Sequence, residues 1–354
     1  MTDEETLAEM TRPETLPRTR IALVTTTINV PKALALYRKI DADVVFFVVA
    51  DKKTPSGAAE FCRKLPPAQY ISVDDQQKLD YKILQHLPYN SIARRNIGTL
   101  EALKWGADVI IAWDDDNLPL HCDYFLQFST ALTQPFDGML ASSPSDWFDP
   151  GELLLPRAPH RGFPHGKKST PYFEPVIDAQ VGVCAGLVLG DPDIGAVERL
   201  ANAPLVHSAS AVLQSGFVVD PRQTWTVFNT QNTAFRRALA PAMLLCPQFD
   251  RYDDIIASLV TQRVMTGQGW CVRQGQPFVY QQRNEHDITR DLALEMWGMQ
   301  NIGHIVTWLD RQSVPDDPFD AAQKLWTSPS MHVLHIDGSL GLARAWFDDL
   351  EQVL

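Results

Sequence analysis

The stretch that most constrains the fold is ADVIIAWDDDNL (107–118), where a short apolar run meets three consecutive aspartates. The run at 109–113 is rich in β-branched residues and too short for a helix, which predicts a strand buried on both faces. In α/β proteins, ligands bind at the carboxyl ends of such strands. Asp114, Asp115 and Asp116 would repel one another there, and a divalent cation with a bound diphosphate would offset the repulsion. An acidic, solvated turn is the alternative interpretation.

Two earlier segments have the same buried character. IALVTTT (21–27) and VVFFVVA (44–50) are predicted strands, and a polar loop follows each of them. A helical pattern follows the first loop, and strand, polar loop and helix together are typical of a nucleotide-binding α/β unit. Asp51, at the end of the second strand, could accept a hydrogen bond from a base or a ribose hydroxyl; a plain turn is equally compatible with it.

The next predicted helix has a polar cap at 90–91 and ends at Gly106. Arg94 and Arg95 lie in its first turn, where the helix dipole disfavours cations unless an anion binds. We therefore expect a phosphate site there, and Lys82 could add to its positive charge. Two surface arginines that extend into solvent are the alternative.

The second half of the chain offers three further candidates. RAPHRGFPHGKKST (157–170) has no periodicity and predicts a loop, of a length that often forms a lid or contacts an acceptor. FDRYDDIIASLVTQRV (249–264) predicts a helix with Asp250 as its cap. Asp254 falls in the first turn of that helix, where acids are favoured by the dipole alone. His286 follows a predicted strand and is either a surface residue or a nitrogen ligand for a metal.

Composition narrows the class of protein. The net charge of −12 argues against a nucleic-acid partner. The five cysteines are scattered without a CxxC pair, which indicates reduced thiols rather than a zinc knuckle or a disulfide framework. The longest apolar windows, such as 181–190, are about half the length of a membrane span, and the acidic N-terminus is unlike a signal peptide. We therefore expect a cytoplasmic protein without a membrane span.

Several motifs occur together: LVTTTINVPKAL (23–34), VVADKKTP (48–55) and the long block at 70–117. They continue in RGFP, GLVLGDPDIGAVERL, FNTQNTAFRR and QQRNEHD, at 161–164, 186–200, 228–237 and 281–287. This set resembles the glycosyltransferase-like domain of the plant STELLO proteins. More distantly, it is similar to the reversibly glycosylated polypeptides, which are UDP-arabinopyranose mutases. The resemblance covers roughly residues 20–295 and leaves the C-terminal part without a recognised motif.

The resemblance implies an α/β GT-A fold with a mixed, mostly parallel sheet between helices. It also implies a nucleotide sugar bound through Mn²⁺ or Mg²⁺. By position, Asp114 and Asp116 match the Asp-x-Asp metal pair, His286 the histidine that completes the metal shell, and Asp254 the acid near the acceptor. Arg161 matches the arginine that the mutases are thought to glycosylate on themselves. The residues expected to bind the nucleotide sugar are Thr25, Thr26, Asn29, Asp51, Lys82, Arg94, Asn96 and Asp115.

We predict a loose tail (1–19), a GT-A-like catalytic domain (20–300) and a helical C-terminal extension (301–354) packed on it. Within the domain, residues 20–120 would hold the nucleotide and 121–300 the acceptor. STELLO proteins are membrane-anchored, whereas we expect this chain to be a stand-alone enzyme.

The first functional hypothesis is a metal-dependent glycosyltransferase that uses a nucleoside-diphosphate sugar, with UDP favoured over GDP or dTDP. The acceptor would be a small molecule or a glycan. A sugar-nucleotide mutase and a non-catalytic nucleotide-sugar-binding scaffold are the alternatives. Assembly into a homo-oligomer stays open.

Overall fold

The computed structural model describes residues 19–202, 204–282, 287–329 and 338–354. The strands are β1 (Ile21–Thr27), β2 (Val45–Ala50), β3 (Ala68–Ile71), β4 (Val109–Trp113), β5 (Asn117–Pro119), β6 (Phe136–Ser142), β7 (Trp147–Phe148), β8 (Leu154–Leu155), β9 (Tyr172–Ala179), β10 (Val181–Gly190), β11 (Ser208–Ala209), β12 (Phe217–Val219), β13 (Trp225–Thr226), β14 (Asn232–Arg236) and β15 (Cys271–Gln281). The helices are α1 (Leu34–Ile40), α2 (Gly57–Arg63), α3 (Val73–Gln76), α4 (Arg95–Trp105), α5 (Tyr124–Thr133), α6 (Ala196–Ala201), α7 (Ala211–Ser215), α8 (Asp253–Gln268), α9 (Ile288–Asp310), α10 (Pro318–Trp326) and α11 (Ser339–Val353).

One large mixed sheet organises the described residues, in the order β3-β2-β1-β4-β14-β10-β15-β12-β6-β9, with β5 beside β15. Its first four strands are mutually parallel, and β14 runs antiparallel between β4 and β10. All five residues of β4 are buried, as the apolar run predicted. The predicted α/β class, with a mixed sheet flanked by helices and a helical C-terminal region, is confirmed.

Helices cover both faces of the sheet, which explains the continuous apolar runs of its central strands. Successive residues of a strand point to opposite faces. In β1, Ala22 and Val24 belong to a core that includes residues of α4 and α8, whereas Ile21 and Leu23 belong to a second core with α1 and α5. A third, smaller core lies under the loops around α7.

The predicted C-terminal end of α4 is confirmed, and the predicted starts of α4 and α8 are corrected. The Ser91 hydroxyl accepts a hydrogen bond from Ala93 N at the start of a short 3-10 turn that leads into α4, and Gly106 ends α4 with φ +89°. Asp250 is not the cap of α8, because α8 begins at Asp253 after a separate 3-10 turn. Asp250 has φ 49° and ψ −126°, so the chain bends sharply there before the helix starts.

The C-terminal helices pack on the core, as expected from their helical spacing. The indole N–H groups of Trp326 and Trp346 donate to the backbone oxygens of Ala242 and Pro241, each at 3.0 Å. Because α9 is continuous across residue 300, the predicted boundary at 300–301 falls inside a helix. Within the described residues, no helix combines the length and the apolar character that crossing a membrane requires. The predicted tail lies outside the described residues, except for Thr19.

Candidate functional site

A cleft of about 350 Å³ lies at the carboxyl ends of β1, β2 and β4. Because these strands are parallel neighbours, the residues that follow them meet at one edge of the sheet. The volume is at the lower end of the range for small-molecule sites, which is roughly 300–1,000 Å³. The charged side chains lining the cleft are Asp51, Asp114, Asp115, Asp116, Arg161, Asp193, Asp250, Arg251, Asp253 and Asp254. The described lining of the cleft is therefore mainly acidic, and it does not include Arg94 or Lys82, the residues expected to give a positive phosphate site.

The three consecutive aspartates have different partners. Asp114 accepts a hydrogen bond from Arg95 Nη2 at 2.5 Å. Asp115 accepts from the Thr27 hydroxyl and, at 3.4 Å, from the side-chain amide of Asn29. The carboxylate of Asp116 accepts from Gln281 Nε2 on Oδ2 at 3.2 Å. Its other oxygen, Oδ1, is buried and has no hydrogen-bond partner among the described residues.

The environment of Asp116 favours a cation. Burial, followed by repulsion from Asp114, raises the pKa of Asp116 to about 7, against a smaller lowering effect of the Gln281 hydrogen bond. A divalent cation would offset both causes and give Oδ1 a partner. Two carboxylates suit a hard cation that takes its other ligands from water and a phosphate, as Mg²⁺ does.

A complete protein cage for a metal is not present in the described part of the chain. Within residues 19–202, 204–282, 287–329 and 338–354, no group of three or more His, Cys, Asp or Glu could hold a metal ion. His286, the predicted third ligand, lies outside these residues. Of the three predicted metal ligands, the described residues include Asp114 and Asp116.

Arg95, which the sequence analysis did not select, is the arginine at the aspartates. Its buried guanidinium donates to Thr230 O at 2.7 Å and Trp113 O at 3.1 Å, besides Asp114. The predicted phosphate ligand, Arg94, points elsewhere, because consecutive helical residues are rotated by about 100°. Both arginines are buried. The pattern of apolar residues around α4 therefore could not show which of them faces the cleft.

The contacts of Arg94 are internal. Its Nε donates to Gln76 Oε1 at 2.9 Å and its Nη1 to Leu87 O at 3.2 Å. Its guanidinium carbon lies 4.2 Å from the centre of the Tyr89 ring. Arg94 is therefore absent from the described lining of the cleft, and its predicted contact with phosphate is not supported.

Lys82, which was expected to add positive charge to the phosphate site, also lies elsewhere. Its Nζ pairs with Asp348 of α11 at 2.7 Å, and the side chain is 60% exposed. Its backbone N–H donates to Asp349 at 2.7 Å. Lys82 therefore links the nucleotide half to the C-terminal helix and adds no charge to the cleft lining that the structure describes.

The other expected nucleotide ligands divide into two groups. Thr26 and Asp51 line the cleft, and Asn29 contacts it through Asp115. Thr25 is buried and donates its hydroxyl to the Thr26 carbonyl, and the Asn96 amide bonds the backbone N–H and C=O of Leu245. Neither Thr25 nor Asn96 belongs to the cleft lining among the described residues.

Opposite the aspartate triplet lies a buried ion-pair network. Arg161 donates to Asp193 Oδ2 from Nε at 2.9 Å, and to Asp254 Oδ1 from Nη2 at 3.1 Å. Its Nη1 donates to the Arg251 carbonyl. Burial lowers the pKa of Arg161, but Asp193 and Asp254 together raise it well above its ordinary value. Arg161 is therefore a fixed cation that holds two carboxylates in the cleft.

Asp254 lines the cleft and is held by two contacts. Its Oδ2 accepts from Thr230 N at 3.2 Å, which fixes the carboxylate together with Arg161. The neighbouring Asp253 accepts from Asp254 N at 2.7 Å, and burial followed by repulsion from Asp254 raises the pKa of Asp253. Asp193 was missed by the sequence analysis, although its position after the apolar run of β10 resembles that of the aspartates after β4.

Comparison with known proteins gives a local similarity. No protein-family model matches the chain. The chain is 45% identical to the Arabidopsis thaliana protein named probable glycosyltransferase STELLO2 over 68 residues. These residues are 19% of this chain and 9% of that protein. It is 44% identical over 63 residues to probable glycosyltransferase STELLO1 from the same plant, or 18% of this chain and 8% of the relative. The chain thus matches less than a tenth of the length of these relatives, and the resemblance to STELLO proteins is confirmed over that stretch.

Proposed function

We propose that the protein is a glycosyltransferase. It would move a sugar from a nucleoside-diphosphate sugar, favoured to be a UDP-sugar, to a hydroxyl of a small molecule or a glycan. The observation that carries the proposal is the unpartnered, buried Oδ1 of Asp116 beside Asp114, at the carboxyl end of β4 in a ligand-sized cleft. The local similarity to two proteins named probable glycosyltransferases supports the same class.

The donor would lie across the carboxyl ends of β1, β2 and β4. Thr26 and Asp51 line the part of the cleft nearest β1 and β2 and are the candidates for the nucleoside. Asp114 and Asp116 would hold Mn²⁺ or Mg²⁺, which when bound supplies Lewis-acid stabilisation of the leaving diphosphate. Burial raises the pKa of Asp114 and Arg95 opposes that rise while holding the carboxylate in place, and Gln281 fixes the orientation of Asp116.

Asp254 is the candidate general base. A carboxylate within hydrogen-bond reach of an acceptor hydroxyl can take its proton as the oxygen attacks the sugar. Arg161 and the Thr230 N–H fix the orientation of Asp254. Asp254 thus has the support that a catalytic carboxylate requires.

The mutase alternative would need Arg161 to accept the sugar. A guanidinium bound by Asp193, Asp254 and the Arg251 carbonyl is a poor nucleophile, because it is held charged and its N–H groups are engaged. These contacts favour an orienting role for Arg161 and hence the transferase. Intact-mass measurement after incubation with UDP-glucose tests this choice, since a stable added hexose on Arg161 would favour the mutase.

The experiment that tests the proposal measures release of UDP from UDP-sugars, with Mn²⁺ and with EDTA, in a screen of acceptors. We expect release only with Mn²⁺, and a loss on the order of 100-fold in Asp116→Asn, the range for removing one preorganised electrostatic group. Asp80→Asn, at an exposed position, is the matched control and should keep wild-type rates. Metal-dependent binding without turnover for any acceptor would favour the scaffold alternative.

A further inference from the structure

A second cavity, which we call the inner chamber, adjoins the cleft. Its apolar lining comes from the third core and its surroundings: Leu154, Ala158, Leu187, Ile194, Leu213 and Phe228. Asp193 and Gln231 line both the inner chamber and the cleft, so these two residues belong to the wall that the two spaces share. The inner chamber is not needed for the nucleotide, whose candidate ligands lie on the far side, near β1 and β2.

Three polar side chains of the inner chamber are already engaged by the protein. Gln274 donates to the Val227 carbonyl at 3.2 Å, and Asn229 donates to Asp193 at 3.4 Å. His160 contacts the carbonyl of the next residue through Nδ1 at 2.8 Å, and burial lowers its pKa, which favours the neutral ring. A guest in the inner chamber would therefore meet mainly apolar surface and few free hydrogen-bonding groups. Such a lining disfavours a sugar, whose hydroxyls would lose their water without replacement.

The wall that the inner chamber shares with the cleft lies next to the candidate base. Arg161 Nη2 contacts both Asp193 at 2.5 Å and Asp254 Oδ1 at 3.1 Å, so these two carboxylates flank one guanidinium nitrogen. An acceptor whose hydroxyl lies at Asp254 would thus have the rest of the molecule close to Asp193. The inner chamber lies on the other side of Asp193.

The size of the inner chamber limits the guest. Its volume is about 60 Å³. Since one water needs about 10–15 Å³ by this kind of measure, the inner chamber has room for roughly four to six non-hydrogen atoms. A phenyl or branched alkyl group fits that space, whereas a glycan chain does not.

We infer that the acceptor is a small alcohol with a compact apolar body, which enters the inner chamber while its hydroxyl faces Asp254. The inference rests on the proposed glycosyltransferase function and selects the small-molecule acceptor over the glycan. It assigns the inner chamber as the site that determines acceptor specificity.

The test measures binding by ¹⁹F NMR, without turnover, using 4-fluorobenzyl alcohol as the apolar probe and 2-deoxy-2-fluoroglucose as the polar one. Wild-type protein should bind the apolar alcohol in the millimolar range or tighter and discriminate against the sugar. Ala185→Leu places three more carbons in the lining of the inner chamber and should weaken the alcohol by at least about tenfold, as overpacking does. Calorimetric binding of UDP with Mn²⁺ to the same variant controls for folding and for the nucleotide site.

A second variant protects the test if Ala185→Leu does not fold. Leu213→Ala enlarges the inner chamber and should improve binding of the larger 4-(trifluoromethyl)benzyl alcohol relative to wild type. The inference is overturned if wild type does not bind 4-fluorobenzyl alcohol, if it prefers the sugar, or if neither variant changes alcohol binding. Loss of UDP binding in wild type, with alcohol binding retained, would instead count against the proposed function alone.

Discussion

Replacing Arg95 by methionine removes the positive charge behind the aspartates at the end of β4. In the wild type this guanidinium donates to Asp114, Thr230 O and Trp113 O, and its side chain is 3% exposed. Removing one partner of a buried ion pair lowers the free energy of unfolding by about 3–5 kcal/mol. Because the Asp114 side chain is 33% exposed to the cleft, we expect the lower end of that range. The free energy of unfolding without metal should therefore fall by about 3 kcal/mol.

Divalent metal should restore part of this loss, because a cation held by Asp114 and Asp116 replaces the missing charge. With Asp114 no longer shared with Arg95, we expect Mn²⁺ to bind about tenfold more tightly, which adds about 1.4 kcal/mol to the metal-dependent stabilisation. Urea unfolding followed by circular dichroism, with EDTA and with saturating Mn²⁺, measures both quantities.

Arg94→Met is the matched control. Arg94 is equally buried, but it donates to Gln76 and the Leu87 carbonyl rather than to an aspartate of the cleft. This variant should also have a lower free energy of unfolding than wild type. Saturating Mn²⁺ should raise that free energy by the same amount in Arg94→Met as in wild type. Equal Mn²⁺ increments in the two arginine variants, or none in wild type, would refute the argument.

Four other variants test the site and the fold. Asp254→Asn should lower turnover by at least about 100-fold in initial-rate assays, with nucleotide affinity within about twofold, because an amide cannot take the acceptor proton. Burial raises the pKa of Asp149 to about 7 in the folded state. Because the unfolded state releases this proton near pH 4, the free energy of unfolding of the wild type falls as pH rises from about 4 to 7. Asp149→Asn does not carry this proton. Its free energy of unfolding, measured with urea, should therefore rise relative to wild type by up to about 4 kcal/mol between pH 4 and pH 7. Gly98→Ala should lose about 1–3 kcal/mol, because its Cβ would lie 2.6 Å from Val24 Cγ1. Gly303→Ala, whose Cβ would meet no atom within 4 Å beyond its own stretch of helix, should gain up to about 1 kcal/mol, and thermal denaturation measures both glycine variants.

Each of these variants has an outcome that contradicts the reasoning. Wild-type turnover in Asp254→Asn would remove that residue from the mechanism. A stability difference between Asp149→Asn and wild type that is constant from pH 4 to 7 would mean that Asp149 is ionised normally in the folded state. Equal effects of alanine at Gly98 and Gly303 would show that α4 is not closely packed on β1.

The sequence predicted what depends on local pattern. β4 and the aspartates after it were found because the apolar run and the turn are contiguous in the chain. The C-terminal end of α4 followed from a left-handed Gly, and the 3-10 turn before α4 followed from a Ser cap, because both signals act within a few residues. The location of the cleft followed because parallel strands bring their carboxyl ends together.

Contacts between distant segments could not be predicted in this way. The choice between Arg94 and Arg95 depends on a rotation of about 100° around α4, which the apolar pattern does not resolve. Lys82 is neutralised by Asp348, 266 residues later in the chain. The pairing of Arg161 with Asp254 spans 93 residues and turns two separate motifs into one network.

The measurement that tests the central claim most directly is calorimetric titration of UDP, GDP and dTDP, each with Mn²⁺ and with EDTA. We predict that one nucleotide, UDP, binds tightly and only when metal is present, and that Asp116→Asn abolishes this binding. Binding of no nucleotide under either condition, or equal binding with EDTA, would contradict a metal-dependent nucleotide-sugar site at the end of β4.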